Sequence, residues 1–208
     1  FKDDHSSIDE KCNLTEINGG MCNTEEDFYK ACRAASILGT LQAGYTNFTF
    51  LSDTSKQIFD REALLGVSIT GWMNNPGVLF DEEVLKKGAE IVKDVNKEVA
   101  ELIGVNPAAR TTCVKPSGNA SVLLQTASGI HAEHSPMYIR NVQMNKESEI
   151  TQSIMQSNPY MVEESVWSAG GTDVVVSFPI LPKKGSYYKD DLLGIDHLEL
   201  VKKAQQNW

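Results

Sequence analysis

Residues 110–142, RTTCVKPSGNASVLLQTASGIHAEHSPMYIRNV, hold the densest set of side chains in this chain that could do chemistry. An extended run over 111–114 is stopped by Lys115-Pro116-Ser117-Gly118, and Asn119, Ala120 and Ser121 then open a short apolar segment. Gly118 admits a tight backbone turn, and Asn119 and Ser121 are residue types that open helices. A strand that feeds small residues and then a helix start leaves backbone N–H groups pointing outward. Together with the positive end of a helix dipole they make a seat for phosphate. The Ser117 and Ser121 hydroxyls can donate to phosphate oxygens as well. The order is not the P-loop pattern Gly-x-x-x-x-Gly-Lys-Ser/Thr, because Lys115 precedes the turn. On the residues alone two readings stand, an anion seat and a plain strand–turn–helix corner, and the corner is the commoner use of an isolated Pro-Ser-Gly.

A second small-residue turn follows at Ser128-Gly129-Ile130-His131. Gly129 allows either a close backbone approach to a ligand or a simple turn. Arg110, Lys115, His131, His134 and Arg140 gather around the two turns in sequence. His131-Ala132-Glu133-His134 lacks the His-Glu-x-x-His spacing that puts two ligands on one helix face, so no metal site is expected. Cys12, Cys22, Cys32 and Cys113 fit neither a dense disulfide framework nor a Cys-x-x-Cys pair, and a reducing cytoplasm is the expected compartment.

These turns need a frame, and the chain alternates strand and helix signals. Residues 12–18 have extended, alternating character and end at Gly19-Gly20. Thr24 caps a helix with Glu25, Glu26 and Asp27 in its first turn, and Phe28, Ala31, Cys32, Ala35, Leu38 and Leu41 repeat at helical spacing. Residues 66–70 read as a second strand, punctuated by Gly71 and the loop Asn74-Asn75-Pro76-Gly77. Asp81 opens the longest helix, whose apolar stripe is Leu85, Val92, Val95, Val99 and Leu102, closed by Gly104. Strands follow at 110–114, 138–143 and 173–178, with a helix over 147–156. The Val-Val-Val run of the last strand reads as buried on both faces, and Pro179 and Pro182 end it. Strands separated by long helical connections predict an α/β sheet or barrel with largely parallel neighbours. No repeat or linker interrupts the pattern, so residues 1–208 are expected to form a single unit.

With 208 residues, 41% of them hydrophobic, the chain can bury a sizeable core. Its net charge of −9 argues against a generic nucleic-acid or anionic-membrane binder, and no apolar run is long enough to span a bilayer. The polar opening FKDDHSSIDEK and the helical pattern still running at Trp208 read as a segment of a longer chain.

KPSGNASVLLQTASGIH followed by YIRNV resembles the phosphate-binding region of ribonucleotide reductase large subunits, most of all the adenosylcobalamin-dependent (class II) type. CNLTEIN at 12–18, GVSITG at 66–71 and VVVSFPI at 174–180 are similar to that family in the same order, so the likeness spans nearly the whole chain. The resemblance implies the C-terminal half of a ten-stranded α/β barrel, with mostly parallel strands linked by helices. In that family a cysteine thiyl radical takes the 3′ hydrogen of a ribonucleotide, and two further cysteines supply the electrons for loss of the 2′ hydroxyl. Cys12 matches the second member of the reducing pair. Pro116, Ser117, Gly118, Asn119, Ala120 and Ser121 match the substrate-phosphate turn, with Gly129 and His131 on a second loop of the same face. Asn119 stands where threonine is common.

The departures carry as much weight. The Asn-x-Cys-x-Glu loop of the radical cysteine is absent from this sequence, and Phe1 stands where that loop would end. Glu16 does not replace its glutamate, because it follows the wrong cysteine. The resemblance therefore implies several partners outside this chain. They are a complementary N-terminal segment bearing the radical cysteine, adenosylcobalamin, a thioredoxin-like reductant and a ribonucleoside di- or triphosphate. This segment alone would then be inactive. A non-catalytic nucleotide-binding or assembly module derived from the same barrel is the alternative expectation.

Overall fold

The structure, a computed structural model, describes residues 11–49 and 51–208, so the expectation attached to Phe1 lies outside the described residues. The internal contacts divide the chain into two compact units, Phe1–Glu133 with Lys183–Trp208, and His134–Pro182.

The first unit is built on parallel strands. β1 (Asn13–Asn18) pairs in parallel with β2 (Leu65–Thr70), Leu14 opposite Gly66 and Glu16 opposite Ser68. The expected third strand at 110–114 lies on the other side of β2. Leu65 N donates to Arg110 O (3.0 Å), Val67 N to Thr111 O (2.9 Å) and Cys113 N to Val67 O (2.9 Å). This segment bridges in parallel only at Val67 and Thr112, so it is a parallel neighbour without being a regular strand.

α1 (Glu25–Ala43) begins with a capping box, in which the Thr24 hydroxyl accepts from Asp27 N and the Asp27 carboxylate accepts from Thr24 N. After α2 (Asp53–Glu62) and the single turn α3 (Pro76–Leu79) comes α4 (Glu82–Ile103), N-capped by Asp81 and ended by Gly104 at φ +73°. α1 covers one face of these strands, and α4 packs against α1. Phe28, Cys32, Leu65, Val67, Ile69, Leu85 and Val92 make the core between them. The approach is close: a β-carbon on Gly88 would stand 2.4 Å from the Phe28 ring. The buried face of α1 is finished by Ser36, Gly39 and Thr40, while Leu38, Leu41 and, on α4, Leu102 are exposed, against the apolar stripes expected for both helices. The polar groups there are satisfied, since Ser36 donates to Val92 O and Asn96 to Thr40 Oγ1. The five-residue α5 (Ala120–Leu124) follows the third segment.

The second unit holds β3 (Tyr138–Asn145), α6 (Glu149–Ser157), β4 (Val162–Glu164) and β5 (Asp173–Ile180). Its sheet runs in the order β3-β5-β4 and every pairing is antiparallel, so the mostly parallel architecture holds for the first unit alone. Val174 and Val176 are buried while Val175 is not, which corrects the reading of a strand covered on both faces. A sheet with one covered side shows this alternation. Pro179 does not end β5 but pairs opposite Ile139, at a point where β4 has already stopped. α7 (Gly194–Asn207) belongs to the first unit and packs on α4. Trp208 then reaches the third segment, its carbonyl accepting from Thr112 Oγ1 and its indole donating to Cys113 O.

Candidate functional site

Side chains alternate along a strand, so the helix-covered face of β1 and β2 takes Ile17, Leu65, Val67 and Ile69. The opposite face takes Leu14, Glu16 and Asn18 from β1, Gly66, Ser68 and Thr70 from β2, and Cys113 and Lys115 from the third segment. The contacts agree. A β-carbon on Gly66 would stand 2.5 Å from Leu14 Cδ2, 2.9 Å from Cys12 Sγ and 3.2 Å from Cys113 Sγ. Lys115 Nζ lies 3.0 Å from Glu16 Oε2. This face is polar, and it carries both thiols.

Cys12 is exposed and immediately precedes β1. Cys113 shares the face with it. Burial raises the Cys113 thiol above its ordinary value, and Cys12 and Glu16 add to the rise while Lys115 opposes it. Cys22 and Cys32 are buried in the core, as the small hydrophobes that thiols commonly are.

The turn after Lys115 is strained. Ser117 has φ +65° and Gly118 φ +53°, and only the second is free of a Cβ penalty. Gly118 N donates to Pro116 O (2.8 Å), Ala120 N to Ser117 O (3.2 Å), and the Ser121 hydroxyl to Gly118 O (3.2 Å). The amides of Ser117 and Asn119 stay outside those bonds. Left-handed Gly118 followed by right-handed Asn119 (φ −77°, ψ −14°) is the alternation that turns successive N–H groups into an anion-binding concavity. The helix contributes less than its sequence suggested: α5 has five residues, and Asn119 caps it with no side-chain hydrogen bond. Gly118 and Asn119 are exposed, whereas Ser117 and Ser121 are buried.

The second turn is clamped against the first. Thr70 Oγ1 donates to Ala127 O and accepts from Gly129 N, and Asn74 Oδ1 accepts from Ala127 N. Ser128 Oγ donates to Pro116 O at 2.8 Å. A β-carbon on Gly129, at φ +53°, would stand 2.8 Å from Lys115 O. The close approach that Gly129 permits is therefore to the neighbouring turn. His131 is exposed, with Nδ1 2.9 Å from Ser128 O and its ring 6.2 Å from that of His197.

The structure thus brings together Pro116, Ser117, Gly118, Asn119, Ala120, Ser121, Gly129 and His131 beyond the C-terminal ends of the strands. Cys12 lies on the same face at the opposite, N-terminal end. Between them stands the Glu16–Lys115 pair, which the residue pattern did not single out although strand alternation puts Glu16 on the side of Cys12. Glu16 Oε1, Asn18 Oδ1 and Ser117 Oγ are buried without a hydrogen-bond partner. Among the described residues no group of three or more His, Cys, Asp or Glu could hold a metal ion, and no helix is long and apolar enough to cross a membrane.

No protein-family model matches the chain. It is 26% identical over 203 residues to a "probable adenosylcobalamin-dependent ribonucleoside-triphosphate reductase" of Dictyostelium discoideum. It is 23% identical over 202 residues to the adenosylcobalamin-dependent ribonucleoside-triphosphate reductase of Euglena gracilis. Each alignment takes in 96% of this chain, which spans about a quarter of the length of those relatives (26% and 27%). A crystal structure of a B12-dependent (class II) ribonucleotide reductase superposes with a TM-score of 0.77 at 15% identity, over 96% of this chain and 32% of that one. Along nearly its whole length the chain is therefore similar to adenosylcobalamin-dependent ribonucleoside-triphosphate reductases, and it has an α/β fold like that of the class II enzyme.

Proposed function

We propose that this chain is the C-terminal half-barrel of an adenosylcobalamin-dependent ribonucleotide reductase, supplying the substrate-phosphate turn and one reducing thiol. The carrying observation is the strained turn at Ser117-Gly118, beyond the C-terminal ends of the strands whose polar face also carries Cys12. Left-handed backbone at a serine costs on the order of 1–2 kcal/mol, and such strain is retained where a geometry is needed.

In this reading a ribonucleoside di- or triphosphate lies along the face. Its phosphates meet the turn at its exposed residues, Gly118 and Asn119, above the buried Ser117 hydroxyl, which lacks a protein partner. Its ribose points toward Cys12. Reduction replaces the 2′ hydroxyl with hydrogen: Cys12 and a partner cysteine give up two electrons and two protons, one disulfide forms, and the hydroxyl leaves as water. A thioredoxin-like dithiol restores the pair. Adenosylcobalamin is the radical source for the complete enzyme, and its contacts and the radical cysteine belong to a complementary N-terminal segment.

The test uses the chain assembled with that segment. Ser117→Ala lowers the affinity for a ribonucleoside triphosphate by about 1.5–3 kcal/mol, and Cys12→Ser abolishes multiple turnover while leaving the melting temperature unchanged. Unaltered binding in the first variant together with normal turnover in the second rejects the reading.

A further inference from the structure

At the N-terminal ends of the strands, away from the phosphate turn, the first unit has an open cavity of about 370 Å³ whose walls include Asn13, Phe48, Phe59, Asp60 and Gly104. Its polar side chains are Lys11, Asn13, Thr46, Asp60 and Asn106, with one carboxylate among them. The C-termini of α1 and α4 both end on it, at Gly44 and Gly104, and neither helix has a basic residue in its last turn. Two negative dipole ends therefore converge there without a helix cation to offset them. The Asp60 carboxylate adds a full charge. Asn13 is 4% exposed, and its amide oxygen is buried without a hydrogen-bond partner.

The chain shows what such walls attract. Lys11, the one cation of the lining, places its ammonium 3.3 Å from Gln42 O and from Tyr45 O, and 5.0 Å from the centre of the Phe48 ring. Carbonyl oxygens and an aromatic face are the surroundings in which organic cations bind. Phe48 and Phe59 meet edge to face at 5.0 Å and supply an apolar wall. With Lys11 already engaged at the α1 end, the Asp60 carboxylate and the α4 terminus remain to be offset.

We propose that this cavity is a binding site for a small organic ammonium ion with an apolar tail, its charge held by Asp60 and the end of α4, its tail against the two phenyl rings. The site is independent of the nucleotide reading above.

Isothermal titration of the purified protein with butylammonium chloride tests it, with 1-butanol as the neutral control. Butylammonium binds saturably and 1-butanol does not. Asp60→Asn weakens butylammonium binding about fivefold, the upper range for a partly exposed charge pair, and Phe48→Leu weakens it further. Asp60 is exposed, so its variant keeps the wild-type melting temperature. Absence of saturation, an equal response to 1-butanol, or wild-type affinity in the Asp60→Asn protein each overturns the proposal.

Discussion

Lys115 Nζ sits 3.0 Å from Glu16 Oε2, tying the residue before the strained turn to the strand that follows Cys12. The Glu16 side chain is 9% exposed and that of Lys115 23%. In every other ion pair among the described residues at least one partner is more than half exposed. Those surface pairs contribute little to stability, whereas this one has been taken largely out of water.

Removing only the lysine strands a buried carboxylate. Lys115→Met is expected to cost about 2–3 kcal/mol, less than a fully buried pair because the ammonium is partly solvated. Adding Glu16→Gln removes the stranded charge and restores more than half of the loss. Urea unfolding of the two single variants and the double variant gives the coupling; strictly additive costs would show that the pair does not interact.

Two glycines with the same left-handed φ are expected to respond differently to alanine. At Gly118 nothing lies within 4 Å of the added carbon, so the cost is the backbone term alone, about 1 kcal/mol. At Gly129 the carbon meets Lys115 O at 2.8 Å, and the two turns must separate. Gly129→Ala is expected to be the more destabilising by at least about 1 kcal/mol. Equal melting temperatures for the two variants would contradict the clamped arrangement of the turns.

Gly66 separates two thiols. A methyl group there presses on Leu14, Cys12 and Cys113 together. Gly66→Ala is expected to cost about 1–3 kcal/mol through overpacking and to change the rate at which iodoacetamide labels Cys12. An unchanged rate, read by mass spectrometry, would place the Cys12 sulfur elsewhere than over Gly66.

Alkaline pH weakens the first unit through Cys22. Burial pushes this thiol from its ordinary 9.0 up to about 11, with Asp27 adding to the rise and Lys183 opposing it. The unfolded thiol ionises first, so the stabilisation is intact below pH 9 and is lost as pH rises from 9 toward 11. Other groups titrate in the same window, and the readout is therefore a difference. Melting of Cys22→Ala should fall less steeply than that of wild type between those pH values, and parallel slopes would remove Cys22 from the effect.

The elements with end signals were legible. Thr24 with Asp27, and Asp81 with Gly104, mark α1 and α4 because capping groups satisfy specific backbone atoms whatever the tertiary setting. The parallel strands showed in their extended runs, alternating in β1, and in the glycines that end them. α2 did not show, since DTSKQIFDRE places only Ile58 and Phe59 on an apolar face. The antiparallel sheet of the second unit was misread because a Val-Val-Val run looks alike whether one or both of its faces are covered, and Val162-Glu163-Glu164 is too short to announce a strand. At the site, the two turns were readable from Gly118 and Gly129. The Glu16–Lys115 bond was not, because it joins residues 99 positions apart.

Pro179 has a consequence for how this protein meets other chains. β5 outlasts β4 by several residues, leaving a stretch of main chain that an extended visitor could zip onto. A proline nitrogen has no hydrogen to offer, so such zippering stalls at residue 179. The second unit thus carries its own brake on self-stitching into fibrils.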